Sequence, residues 1–159
     1  MNSVEERIQR LEDLEAIRYL SAQYCRRLDD GDWDGVVDLF TEDGQFDGLS
    51  HSRGRSAMRE SFAALAEGGL TSFWHFITNV EIDLDGDRAT VRSFLWMPCV
   101  NDGAASVGAG RYTDEVRKVD GRWRYETMQV RFNFFGPLVD GWDENQFATE
   151  SARRAAVHP

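Results

Sequence analysis

Gly68-Gly69-Leu70-Thr71-Ser72-Phe73-Trp74-His75-Phe76-Ile77-Thr78-Asn79 is where the chain changes its period. Upstream of the glycine pair, apolar residues recur every three or four positions, the spacing of an amphipathic helix. Downstream they alternate, the spacing of a strand with two distinct faces. Helices first and long strands afterwards predict an α+β fold, with the helices gathered on one face of a mainly antiparallel sheet.

Working back from the glycines, residues 56–66 carry Met58, Phe62 and Leu65 at helical spacing. Residues 50–55 read as loop, 45–47 as a short strand, and Thr41-Glu42-Asp43-Gly44 as a turn. Asp32 is placed to cap a short helix over 33–40, whose apolar set includes Trp33, Val36, Val37 and Phe40. Before it, Ile8, Leu11, Leu14, Ile17, Leu20, Tyr24 and Leu28 predict one long helix over 4–28, which Gly31 terminates. Cys25 and Asp29 fall on one flank of its apolar stripe. A carboxylate there faces the negative end of the helix dipole, an awkward place that a plain loop-side acid also explains.

Working forward, strands are predicted over 72–84, 89–100, 106–119 and 122–135. The turns between them are Asp85-Gly86-Asp87, Asn101-Asp102-Gly103 and Asp120-Gly121, and Pro137 ends the sheet. Such a meander, strongly curved and closed on its concave side by helices, makes a cone-shaped barrel with an apolar interior, the usual shape of a small-molecule pocket. The 159 residues fit one domain, with a core over about 4–138 and a polar tail over 139–159 that Trp142 and Phe147 could anchor.

A net charge of −10 argues against nucleic acid and against anionic membrane surfaces as partners. No apolar run approaches the ~20 residues of a membrane span. The start of the chain is charged, unlike a signal peptide. Cys25 and Cys99 are isolated from each other, which predicts reduced thiols rather than a disulfide or a zinc site. A soluble cytoplasmic protein is the expectation, with no metal and no cofactor.

The residues that could carry chemistry are few. Alternation places Phe73, His75 and Ile77 on one strand face and Trp74 and Phe76 on the other, so His75 has apolar surroundings. A core histidine bonded to a backbone carbonyl fits that position as well as a base does. Arg131, between Val130 and Phe132, reads as a structural salt bridge or as an anchor for a substrate oxygen. Tyr24, Tyr112 and Tyr125 are core filler or pocket hydroxyls. Nucleophile elbows, phosphate loops and His/Cys metal clusters are absent.

The motifs Tyr24-Cys25-Arg26-Arg27-Leu28-Asp29, Asp32-Trp33, Leu39-Phe40-Thr41-Glu42-Asp43, His75-Phe76-Ile77-Thr78-Asn79 and Gly110-Arg111-Tyr112-Thr113-Asp114 belong together in one more respect. With them, the chain from about residue 12 to 138 resembles the SnoaL-like family of the nuclear transport factor 2-like superfamily, which includes dehydratases and a dehydrochlorinase. The resemblance implies that Asp29 and His75 form a catalytic pair, with Tyr24 and Arg131 as further catalytic groups. Trp33, Phe46, Trp96 and Tyr112 are the expected walls of the substrate pocket. The implied activity is a cofactor-independent elimination or isomerisation, dehydration foremost, of a hydrophobic cyclic molecule of steroid or polyketide type. The same fold also serves as a non-catalytic binding or assembly module. One dehydratase of that family also carries an Asp on the second long strand, where this chain has Trp96-Met97. The resemblance also implies a homo-oligomer, a trimer in preference to a dimer.

Overall fold

The computed structural model describes residues 3–140. Helix α1 (Val4–Asp29) starts at a capping box in which Ser3 and Glu6 satisfy each other's backbone amides. Helix α2 (Trp33–Asp38) starts at Asp32, whose carboxylate accepts from Gly35 N at 2.9 Å. Helix α3 (Arg55–Glu67) follows the strands β1 (Phe40–Asp47) and β2 (His51–Arg53). The remaining strands are β3 (Leu70–Phe73), β4 (Phe76–Asp85), β5 (Arg88–Asn101), β6 (Ala104–Val119) and β7 (Arg122–Pro137).

The sheet runs β2-β1-β7-β6-β5-β3, with β4 also paired to β5. All neighbours are antiparallel except β1 and β7, which are parallel. The result is a strongly curved mixed sheet, a half-barrel whose concave side is filled by the helices, and the α+β expectation holds. Curvature comes from irregularities in the ladder, where an extra residue bends its strand. One lies between β6 and β7 at Ala109/Gly110. A Cβ on Gly110 would sit 2.3 Å from the Arg131 carbonyl oxygen, so only glycine lets the two backbones approach there.

Three elements depart from their predicted limits. Residues 41–44 are part of β1 rather than a turn, forming an irregularity between Phe40, paired with Tyr125 on β7, and Gln45, paired with Thr127. Residues 51–53 form β2 where loop was expected. The strand expected over 72–84 is two, interrupted at Trp74 and His75. The expected anchors Trp142 and Phe147, with the rest of the tail beyond 140, lie outside the described residues.

The buried half of α1 begins only at its third turn. Ile17, Leu20, Tyr24 and Leu28 enter the core, whereas Ile8 and Leu11 stay exposed. Asp13 is buried instead, accepting from Lys118 Nζ at 2.6 Å and Trp123 Nε1 at 2.8 Å. Burial pushes its carboxyl up, but these bonds and Gln9 outweigh it and hold Asp13 below the usual carboxylate range. This clamp fixes the helix against the β6–β7 hairpin, and so fixes how far the C-terminal end of α1 reaches. Among the described residues no helix is long and apolar enough to cross a membrane.

Candidate active site

Asp29 is the last residue of α1, and it reaches the break between β3 and β4. Both its oxygens hold His75. Oδ1 lies 2.6 Å from His75 Nδ1, and Oδ2 accepts the His75 backbone N–H at 3.0 Å. The second bond explains the break. Amides along a strand alternate between the partner and the opposite side. Trp74 N donates to Pro98 O on β5, so the next amide faces the open edge of the sheet, where the carboxylate takes it. The side chains of the pair are 15% and 7% exposed for Asp29 and His75.

An ionised carboxylate only accepts, so the Nδ1 contact requires a proton on Nδ1 and leaves Nε2 of a neutral ring unprotonated. The unfavourable helix-end position of Asp29 is offset by the two bonds and by Arg26 and Arg27 in the same last turn.

His75 lines the same groove as Asp29 and also a pocket in the cone. Its polar groups are His75, Tyr24 and Tyr112; its walls include Leu28, Trp33, Phe46, Phe73, Met97 and Phe132. The Tyr24 ring stands edge-on to His75, with centroids 6.3 Å apart. The pocket is narrow. It leaves about 40 Å³ for the centres of water-sized groups, room for about three waters. Asp29 does not face it. Asp29 lines a separate groove between α1 and β4, with Ser21, Cys25, Arg26 and Thr78.

Tyr24, His75, Trp33, Phe46 and Tyr112 therefore meet in one pocket, with Asp29 directly behind His75. Two expected members are elsewhere. Arg131 lies on the convex face of the sheet, because Val130 and Phe132 on either side point inward; it donates to Gln129 Oε1 at 3.3 Å. Trp96 is also on the convex face and 44% exposed, while its neighbour Met97 takes the pocket position. Tyr125 is core, its hydroxyl donating to Ser21 Oγ at 3.3 Å.

Burial pushes the Tyr24 and Tyr112 phenols well above the ordinary range, so both stay protonated donors at neutral pH. Sequence reasoning passed over Asp114. The alternation Tyr112, Asp114, Val116 was the available signal that it points inward. It is 3% exposed and accepts from Gln129 N at 3.3 Å. Burial pushes its carboxyl well above the usual range, against the lowering effect of that bond. A raised carboxyl favours folding only at low pH; the benefit is lost as pH rises from the unfolded value towards the folded one. Asp114→Asn is therefore expected to melt at a higher temperature than the parent at neutral pH, with the gap closing towards pH ~4. A gap that widens on acidification would contradict this.

The sequence matches the SnoaL-like domain over residues 9–129, and the chain belongs to that family. Among solved structures it is similar to a candidate aromatic ring hydroxylase from Novosphingobium aromaticivorans, at 31% identity over 82% of this chain and 96% of that one, with a TM-score of 0.74. A candidate scytalone dehydratase from the same organism is 23% identical, covering 80% and 89%, with a TM-score of 0.74. A hexachlorocyclohexane dehydrochlorinase from Novosphingobium barchaimii is 20% identical, covering 89% and 98%, with a TM-score of 0.75. The last two likenesses establish the fold alone. No curated protein matches the chain by sequence.

Proposed function

We propose that this protein is a cofactor-independent lyase or isomerase that takes a proton from carbon in a hydrophobic cyclic substrate, dehydration being the favoured outcome. The observation that carries the reading is the two-point grip of Asp29 on His75, at 2.6 Å and 3.0 Å. That grip fixes the tautomer and the ring plane, and it turns Nε2 into the available base. Asp29 then stabilises the imidazolium that forms, as the carboxylate of a catalytic triad does. Tyr24 and Tyr112 are the pocket groups able to donate to a developing enolate or a departing hydroxyl. The walls are apolar, which suits a steroid- or polyketide-like ring. Relatives described as a dehydratase and a dehydrochlorinase on this fold lend support.

The second reading is a non-catalytic binding or assembly module, and the narrowness of the pocket favours assembly. About 40 Å³ does not hold a ring. On the enzymatic reading, substrate entry displaces the half-buried wall residues Trp33, Leu49, Leu65 and Phe73. Incubating the protein with cyclic hydroxy ketones of steroid and polyketide type, in deuterated water, separates the two. Loss of water or deuterium uptake at the carbon next to the carbonyl is expected. Quenching of tryptophan fluorescence by these ketones, without either reaction, would establish the binding module instead.

The convex sheet face supports a homo-oligomer. Trp74, Phe76, Phe94 and Trp96 are between 43% and 56% exposed, and Arg111 stacks over Phe94 at 5.1 Å. Exposed aromatic surface of this kind marks an interface. Light scattering is expected to give a trimer mass that Trp96→Glu reduces; a monomer at all concentrations would refute it.

A further inference from the structure

Ala16, Tyr19, Gln23 and Arg27 recur on α1 at helical spacing, each one position ahead of the core residues Ile17, Leu20, Tyr24 and Leu28. This second stripe forms one wall of a groove. The other walls are the end of α2 and the first residues of β7, and the groove shares no lining residue with the pocket beside His75. Its volume is about 340 Å³, against about 40 Å³ for that pocket, so it takes a ring without any wall moving. Leu20, Leu39 and Trp123 are buried and form an apolar floor. The one polar atom of the Trp123 indole is already engaged, donating to Asp13 at 2.8 Å.

The charge of the groove runs against that of the chain. The protein carries a net charge of −10, yet Arg27, Arg122 and Arg124 line this groove with a single acid, Asp38. That acid is largely neutralised: its Oδ1 lies 3.4 Å from Arg124 Nη1 and 3.6 Å from Arg55 Nη1. Arg27 gives one N–H to Gly35 O at 2.6 Å, and a guanidinium has five to give. Arg122 is exposed and follows the tight turn at Asp120-Gly121, where both φ angles are positive, so a rigid hairpin presents it. The side chains of Tyr19, Gln23 and Arg122 have no hydrogen bond or ion pair among the described residues.

An apolar floor under a rim of guanidinium and unengaged donors complements a flat apolar molecule with one anionic group. We propose that this groove binds a ring-bearing carboxylate, an aromatic or alicyclic acid, with its ring on Leu20, Leu39 and Trp123 and its carboxylate among the arginines. Asp38 favours this singly charged group over a phosphate dianion, which its residual charge would repel more strongly. The site is independent of the elimination reading and of the Asp29–His75 pair.

Naphthoate, its neutral counterpart naphthylmethanol and inorganic phosphate are titrated into the full chain, with nitrogen-15 NMR of the Trp123 indole N–H as the readout. Naphthoate is expected to shift that resonance and to bind about 10-fold or more tightly than the alcohol, the difference a charge-assisted contact makes. Arg122→Glu has no bond to lose, and it is expected to weaken naphthoate about 10-fold or more while leaving the alcohol unchanged. Ala16→Trp fills the groove from the α1 side and is expected to abolish binding of both. His75→Ala is expected to alter neither. The proposal is overturned if naphthoate at millimolar concentration leaves Trp123 unmoved, or if the alcohol or phosphate binds as tightly as naphthoate. It is also overturned if naphthoate is indifferent to Arg122→Glu and Ala16→Trp, or if His75→Ala abolishes its binding, which would put the ligand in the other pocket.

Discussion

Replacing His75 with alanine is expected to lower turnover of the substrate about 10²–10⁴-fold, the contribution of a positioned general base. The fold should survive. The β4 edge is held at this point through the backbone N–H of residue 75, which alanine retains and Asp29 still accepts. The loss is then confined to kcat and to carbon-bound deuterium exchange, with binding of an inert ketone little changed. The Asp29 carboxylate loses one partner of two, a cost of about 1–3 kcal/mol if no water replaces the imidazole. Wild-type turnover in a folded His75→Ala protein would remove the base from the account.

Asp29→Asn is expected to have a comparable effect for a different reason. Its carboxamide keeps the shape and can still accept the His75 backbone N–H. Its NH₂ group would then face Nδ1, and a donor opposite Nδ1 selects the tautomer with the proton on Nε2. That tautomer cannot take a proton from carbon. A loss approaching 10⁴-fold has the same origin where a triad carboxylate is changed to its amide. Steady-state kinetics beside thermal melting checks this: kcat should collapse while the melting temperature stays close to wild type. Retained kcat would mean that Asp29 serves the strand edge alone.

The fold was legible because period and punctuation agree along most of the chain. The glycine pair before Leu70 and the three hairpin signals locate the change from helices to meander. The return of β1 beside β7 was not legible. Thr41-Glu42-Asp43-Gly44 has turn composition, and it lies in β1 only as the irregularity between Phe40 and Gln45, whose pairing to β7 is tertiary. The break at Trp74–His75 was equally hidden, since its cause is a carboxylate 46 residues earlier.

The candidate site was legible in part for the same physical reasons. Asp29 and His75 could be paired from a helix end and a family resemblance, and the 2.6 Å contact brings them together. The sequence neighbours of Arg131 are not its surroundings in the fold. In a strand, Val130 and Phe132 face the other way, so their inward position sends Arg131 outward. Trp96 failed similarly, because the convex face is itself aromatic and gives no polar contrast with the core. Asp114 was overlooked because a carboxylate in a strand suggests solvent, although its parity with Tyr112 placed it inside.

The central claim is that Asp29 holds His75 as a neutral base with Nε2 open to the pocket. Nitrogen-15 NMR of the imidazole in the free protein tests it most directly. The account predicts a His75 ring protonated on Nδ1 and bare on Nε2 at neutral pH, with that pattern lost in Asp29→Asn. A His75 ring carrying its proton on Nε2 in the wild-type protein would contradict it.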